Sequence, residues 1–253
     1  MKTTKINSAV FVTLLLLPAF LKAQWHTVRF DSTNTFTKVF SVTPNTTFVI
    51  GREPIKSEPF ILRTNNGGTI WDSIPLNTPG NFYAISELFF IDKDNGFIGG
   101  NNNDTNQVLF KTVNNGNTWI DISPNPTSSS YPPIGSINFI DPQNGFVSDG
   151  TNLYTTTNGG TTWTSTLLPF EINDLFFTDI NNGYACGHLS SSSSYPSGIV
   201  MKTSDGGQNW NPLLSVNEPN LFVSSFGKLD FVNSNIGFTE LSHKLYRTQN
   251  GGN

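Results

Sequence analysis

The tryptophans of this chain are spaced almost evenly: Trp25, Trp71, Trp119, Trp163 and Trp210 stand 46, 48, 44 and 47 residues apart. A self-similar period of that length marks an array of stacked units, each too small to bury its own apolar face. Four of the five close the same phrase. These are Thr64-x-Asn66-x-Gly68-x-x-Trp71, Thr112-x-Asn114-x-Gly116-x-x-Trp119, Thr156-x-Asn158-x-Gly160-x-x-Trp163 and Thr203-x-Asp205-x-Gly207-x-x-Trp210. A further copy opens at Thr248-x-Asn250-x-Gly252.

A second phrase precedes most copies of the first. It runs from Phe90 to Phe97, Phe139 to Phe146, Phe177 to Tyr184 and, without the Asn-Gly pair, Phe231 to Phe238. A degenerate equivalent spans Phe40 to Gly51. Aromatic and β-branched runs on either side of Asn-Gly predict hairpins, with positive φ expected at the turn residues. A short strand then leads into each box, such as Ile61-Leu62-Arg63 or Leu109-Phe110-Lys111. The Asn or Asp side chain and the Thr hydroxyl cap backbone N–H groups, Gly supplies a left-handed conformation, and Trp opens a fourth strand. Four strands in about 46 residues describe a propeller blade. The expected fold is an all-β propeller of four-stranded antiparallel blades, about five of them present.

Charged residues make up only 13% of the chain, a composition suited to short strands and polar turns. Residues 1–23 read as a secretory signal: Lys2 and Lys5, an apolar stretch from Ala9 to Leu21, then Ala23 before Gln24. Cleavage there leaves 11 basic against 18 acidic residues in 24–253, a net charge of −7. A mildly acidic surface argues against nucleic acid and anionic membranes as partners. An exported monomer, not inserted in a membrane after cleavage, is the expectation. Cys186 is the single cysteine and reads as a buried small hydrophobe.

The boxes resemble the Asp-box (BNR) repeat, S/T-x-D-x-G-x-x-W. Combined with the Phe-x-Asp-x-x-Asn-Gly-Phe hairpin, they are most similar to the propeller family of the photosystem II stability and assembly factor. The resemblance covers nearly all of residues 25–253. It implies a non-catalytic assembly or interaction scaffold, usually of seven blades. Asn replaces Asp in four of the five boxes, which keeps the turn cap but removes its charge, so the boxes are read as structural. Trp25 stands in register with the box tryptophans without a box before it. Either Trp25 to Phe30 completes a blade begun at Thr248, closing a five-bladed ring, or the sequence is part of a longer, seven-bladed propeller and incomplete at its C-terminus.

Strand order puts the Asn-Gly hairpins and box turns on one face. The irregular segments Arg52–Pro59, Asn101–Gln107, Pro124–Pro133 and Leu189–Gly198 fall on the other, where recognition of a protein or glycan is expected. Tyr131 and Tyr195, each in a Ser-Tyr-Pro triplet, are candidate contacts there. Arg63, Lys111, Lys202 and Arg247 precede the box Thr in four of five units and form a candidate basic circle. Asp92-x-Asp94-x-Gly96 has the start of a calcium loop but Asn103 at its twelfth position, so no metal is assigned and no cofactor is called for. Glycoside hydrolysis is the alternative function, since some endo-glucanases are Asp-box propellers. It requires paired carboxylates, yet Glu53, Glu58, Asp72, Asp121, Asp149 and Asp174 are scattered in sequence. Sialidase chemistry is less favoured: of Arg29, Arg52, Arg63 and Arg247, two are repeat decoration. His26, His188 and His243 lie in different units and make no triad. If the recurrent indoles anchor the units, Trp119→Ala costs roughly 3–5 kcal/mol, read as a lowered midpoint in denaturant unfolding.

Overall fold

The computed structural model describes residues 34–53, 58–76, 82–102, 106–124, 133–189, 197–216, 226–241 and 244–252. Those residues form strands and turns and contain no helix. The segments holding the leader, Trp25, Tyr131, Tyr195, Asn103, His26, His243 and Arg29 lie outside them.

Five antiparallel sheets follow one another along the chain. Blade 1 comprises β1 (Thr35–Ser41), β2 (Thr47–Glu53), β3 (Glu58–Thr64) and β4 (Asp72–Ile74). Blade 2 comprises β5 (Phe82–Phe90), β6 (Gly96–Asn102), β7 (Gln107–Thr112) and β8 (Ile120–Asp121). Blade 3 follows with β9 (Ser136–Phe139), β10 (Gly145–Ser148), β11 (Asn152–Thr156) and β12 (Thr164–Leu167). Blade 4 has β13 (Glu171–Phe177), β14 (Gly183–Leu189), β15 (Ser197–Thr203) and β16 (Asn211–Val216). Blade 5 has three described strands, β17 (Leu229–Phe231), β18 (Gly237–Leu241) and β19 (Lys244–Thr248). The expected β-propeller of meandering blades is therefore present, and each box Trp stands one residue before its fourth strand.

The hairpin phrase folds where expected, but its glycine has a different reason. Gly96, Gly145 and Gly183 do not adopt positive φ. A five-residue turn, capped by Asp92, Asp141 or Asp179, joins the strands instead, and Gly opens the second one. There the ring of the hairpin's own Phe lies on the glycine: an added Cβ would meet Phe90 at 2.2 Å, Phe139 at 2.3 Å and Phe177 at 2.5 Å. The pair spells a close approach of ring to backbone, and the turn is not type I′.

That ring has a second contact. Each blade presents an aromatic from its second strand to the Phe of the next blade: Phe48 on Phe90, Phe97 on Phe139, Phe146 on Phe177 and Tyr184 on Phe231. Ring centroids stand 3.8, 3.6, 3.4 and 3.9 Å apart, near parallel. The box Trp then meets the same Phe edge-on, Trp119 at 6.5 Å, Trp163 at 6.3 Å and Trp210 at 6.1 Å. Leu, Ile and Val from both blades surround each trio, so the four junctions are the apolar cores of the fold.

Loops on the face opposite the boxes are shorter than their polar composition suggests. Glu53 pairs with Glu58 and Asn101 with Gln107. The ladder is made by backbone groups, and side chains facing water at a sheet's end do not oppose it.

Each box is a closed set of bonds. Thr112 Oγ1 accepts from the Gly116 N–H at 2.9 Å and the Asn114 N–H at 3.3 Å, and donates to Asn114 Oδ1 at 3.0 Å. The same atoms repeat in the boxes at Thr64, Thr156, Thr203 and Thr248. Gly68, Gly116, Gly160, Gly207 and Gly252 have φ between 77° and 90°, the conformation expected of them. Exchange of Asn for Asp is matched four residues on. Asn114 and Asn158 donate Nδ2 to Thr118 and Thr162 at 2.9 and 2.8 Å, whereas Asp205 Oδ2 accepts from Asn209 Nδ2 at 2.7 Å. Thr112→Val keeps the shape but leaves buried N–H groups unpaired, so a loss of about 1–3 kcal/mol in urea unfolding is expected, with Thr112→Ser close to wild type.

Candidate functional site

The basic residues before the boxes are ties between blades. Arg63 donates to the Asn115 carbonyl and, at 2.9 Å, to Asn117 Oδ1, both in the box turn of blade 2. Lys111 donates to the Pro142 carbonyl of blade 3 at 2.8 Å. Lys202 donates to the Gly251 carbonyl of blade 5 at 3.1 Å. Arg247 instead lies over Phe238 of its own blade at 5.7 Å. The repeat thus places three cations on carbonyls of the following blade, and burial lowers the pKa of Lys111. The donors of Arg63, Lys111 and Lys202 are thus directed at the neighbouring blade. Tyr131 and Tyr195 lie outside the described residues.

A second column, unremarked in the sequence, meets at the centre. Three residues ahead of the last residue of each innermost strand stand Lys38, Glu87, Ser136, Asp174 and Lys228, one per blade. Bulges between Phe36 and Lys38, Ile85 and Glu87, and Ile172 and Asp174 mark these strands, and a bulge re-aims the side chain that follows it. Lys38 bonds Glu87. Lys228 stands 3.6 Å from both Glu87 and Asp174. Ser136 donates to Asp174 at 2.8 Å, and the Leu229 N–H reaches the other oxygen of that carboxylate at 3.3 Å. Burial opposes the charge on Lys228, yet Asp174 and Glu87 outweigh it and raise its pKa. Two cations and two anions therefore close on one another. Glu87 and Asp174, far apart in sequence, come within twice 3.6 Å through the shared ammonium. Reading one register position down all five units would have found this group.

One register step on, towards the hairpin turns, a cavity of about 620 Å³ opens at the same centre. Phe89, Asn138, Phe176, Asp179, Val232 and Asn233 are among the residues that line it, so it offers aromatic faces and amides beside a carboxylate.

Other acids serve turns. Asp141 accepts from the backbone of Gln143 and Asn144 and from Asn144 Nδ2, at 2.7–2.8 Å. Asp92 and Asp179 repeat this arrangement, and Asn233 supplies the same cap uncharged in blade 5. Asp94 faces Lys93 and accepts nothing from a shared centre. Asp121 caps Ser123, Asp72 faces Arg63 at 3.6 Å, and Asp149 is buried against Asn152 and Tyr154. Among the described residues no three His, Cys, Asp or Glu gather as metal ligands. His188 faces Glu171 at 3.3 Å. Cys186 is fully buried, and burial with the nearby Asp174 pushes its thiol up to about 12. No described helix is long and apolar enough to cross a membrane.

A family model for the photosynthesis system II assembly factor YCF48 matches residues 17–169, more than half of the chain. The chain belongs to that family. In sequence, no curated protein matches it. Solved structures agree with the fold. A GH74 enzyme of Niastella koreensis is 18% identical with a TM-score of 0.61, over 83% of this chain and 36% of its own. The GH74 xyloglucanase of Xanthomonas campestris is 14% identical with a TM-score of 0.60, over 82% and 36%. An α-L-arabinofuranosidase of Fusarium graminearum is 9% identical with a TM-score of 0.54, over 88% and 79%. The chain spans about a third of the length of the two GH74 enzymes. Likeness at these identities concerns the propeller architecture alone.

The turn caps make a pH prediction. Hydrogen bonds from Asn144 and neighbouring backbone lower the pKa of Asp141. A carboxylate with a depressed folded pKa stabilises the fold above its unfolded value of ~3.9, and that contribution is lost as pH falls through the folded pKa. Asp141→Asn should therefore flatten the fall in unfolding free energy between about pH 5 and 2, measured by urea titration at each pH.

Proposed function

We propose that this family member is an exported, non-catalytic scaffold that engages a protein or glycan partner through the face opposite the boxes. One observation supports the non-catalytic part above others. The two carboxylates brought together at the centre, Glu87 and Asp174, share the ammonium of Lys228; Lys38 takes the other Glu87 oxygen, Ser136 donates to the Asp174 oxygen that faces Lys228, and the Leu229 N–H takes the second. Hydrolysis of a glycosidic bond asks one carboxyl group to carry a proton while its partner is ionised. Here both carboxylates are tied to the Lys228 ammonium, and with Lys38 they make a closed ionic group that packs the inner strands.

Membership of an assembly-factor family supports an interaction role. Export follows from reading residues 1–23 as a leader, and the net acidic surface favours partners other than nucleic acid. The segments around Pro124–Pro133 and Leu189–Gly198 are the variable part of the repeat and the place where a partner would be distinguished from those of related propellers. A monomer is the working state of this reading.

Two measurements test it. The wild-type protein should release no reducing sugar from xyloglucan, arabinan or β-glucan. Turnover that drops at least about a hundredfold in Glu87→Gln or Asp174→Asn, the size of effect a reacting acid has, would restore the hydrolase alternative. Replacing residues 125–132 by a Gly-Ser segment should abolish retention of partners from an envelope extract while the thermal midpoint stays unchanged.

A further inference from the structure

Asparagine stands directly before glycine at seven places, Asn66, Asn95, Asn115, Asn144, Asn158, Asn182 and Asn250. That pair is chemically frail. With no side chain in its way, the glycine nitrogen attacks Cγ of the asparagine. A C–N bond closes an imide ring, the amide C–N bond breaks, and ammonia leaves with the proton of the attacking nitrogen. Water then opens the ring at either carbonyl. The product is Asp, or isoaspartate with its side-chain methylene inserted into the main chain. Cyclisation needs a free glycine nitrogen and a mobile amide, and the fold withholds one or the other. In the boxes the N–H groups of Gly67, Gly159 and Gly251 donate to the carbonyls of Asn45, Gln143 and Asn235 at 2.8–3.0 Å, and Gly116 N–H donates to Thr112 Oγ1 at 2.9 Å. In the hairpins the amide is held. Asn144 donates Nδ2 to Asp141 Oδ2 at 2.7 Å, and Asn95 and Asn182 hold Asp92 and Asp179 in the same way at 2.9–3.1 Å. Gly96, Gly145 and Gly183 are buried beneath the rings of Phe90, Phe139 and Phe177.

We propose that Asn95, Asn144 and Asn182 are sites of spontaneous deamidation that the native hairpins keep closed, and that a chain converted there while unfolded no longer refolds on equal terms with the rest. The Asp product separates hairpins from boxes. A box already carries an acid at the capping position in Asp205. Asn158 Oδ1 accepts from Thr156 Oγ1 at 3.0 Å and from the Thr162 N–H at 2.9 Å, and a carboxylate accepts such bonds more strongly. The Thr162 hydroxyl, which takes Asn158 Nδ2 at 2.8 Å, can turn and donate instead. In a hairpin the amide is itself the donor to a carboxylate. The Asn144 hydrogen bond lowers the pKa of Asp141, so an acid at position 144 sets a second carboxylate against an ionised one, and like charges in contact repel. Isoaspartate at the same place lengthens the turn and moves Gly145 from its positions opposite Phe139 and Thr156. Nothing in the chain restores the amide. A chain modified faster than it refolds is lost irreversibly, so the time spent unfolded, and not the unfolding free energy alone, sets how long the protein survives.

The test incubates the full wild-type chain at alkaline pH with and without urea. Peptide mapping by mass spectrometry follows the amide-to-acid mass gain at each pair. Conversion of Asn144 should be at least about a hundredfold slower in the folded chain, where it must await local opening. The urea-aged sample is then brought to the midpoint of its unfolding transition and given a brief pulse of protease, which spares folded chains. Among the survivors, acid at positions 95, 144 and 182 should be depleted about tenfold, the scale set by removing a donor to a charged group. Asp at position 158 should keep its share of the input. Two variants separate the added charge from the lost amide. Asn144→Asp should lower the urea midpoint more than Asn144→Ser, failure of the Asp variant alone to fold counting as that order, and Asn158→Asp should stay near wild type. Equal conversion rates with and without urea, survivors carrying hairpin products at their input share, or equal midpoints for the two Asn144 variants overturn the proposal. These measurements involve neither partner nor glycan, so they stand apart from the tests of the scaffold role.

Discussion

Four small sheets and a three-stranded fifth hold together because each hands an aromatic ring to the next. The Phe at the end of an inner strand lies flat on the first residue of its neighbour within the blade, which is why that residue is Gly. Its other side takes a ring from the preceding blade, at 3.4–3.9 Å. The box Trp then closes the trio edge-on. Aromatic side chains bury large areas with few rotatable bonds, so the trios at the first three junctions supply apolar area that a sheet of short strands cannot provide from one face. Without the glycine the Phe ring is displaced; without the Phe the Trp loses its platform. Three residue types separated in sequence therefore act as one device.

Polar groups at the same junctions decide how blades are aligned. Arg63, Lys111 and Lys202 reach carbonyls of the following blade, and Tyr184 donates across to the Ser234 or Gly251 carbonyl. At the inner strands Ser86, Asn138 and Asn173 bond backbone groups of the next blade. An inner strand is the edge of its sheet, and side chains from the neighbour occupy groups that would otherwise await a strand. Ser86, Asn138 and Asn173 thus have a role in joining blades. Amides and hydroxyls do this in a crowded interior with a smaller desolvation cost than ions.

The repeat made the architecture legible because Trp, Gly and the capping Thr are each irreplaceable in their own way and recur at a fixed period. It was less informative wherever one spelling serves two geometries. Asn-Gly before Phe97 looks like a type I′ turn, yet the capped turn begins at Ile91 and Gly96 accommodates a ring. Asn in place of Asp at 66, 114, 158 and 250 reads as the same cap without its charge; the partner that matches the exchange, Thr118 for Asn114 or Asn209 for Asp205, lies at the far end of the box. Lys38, Glu87, Ser136, Asp174 and Lys228 were hidden for a third reason. They share a position but no chemistry, and a scan for similar residues passes over a column whose members are complementary.

That column fills this chain's centre with complementary groups: the Lys228 ammonium sits between Glu87 and Asp174, and Lys38, Ser136 and the Leu229 N–H bond the same carboxylates. Substitution that leaves one buried charge unpaired is strongly penalised, so the members constrain one another as a set.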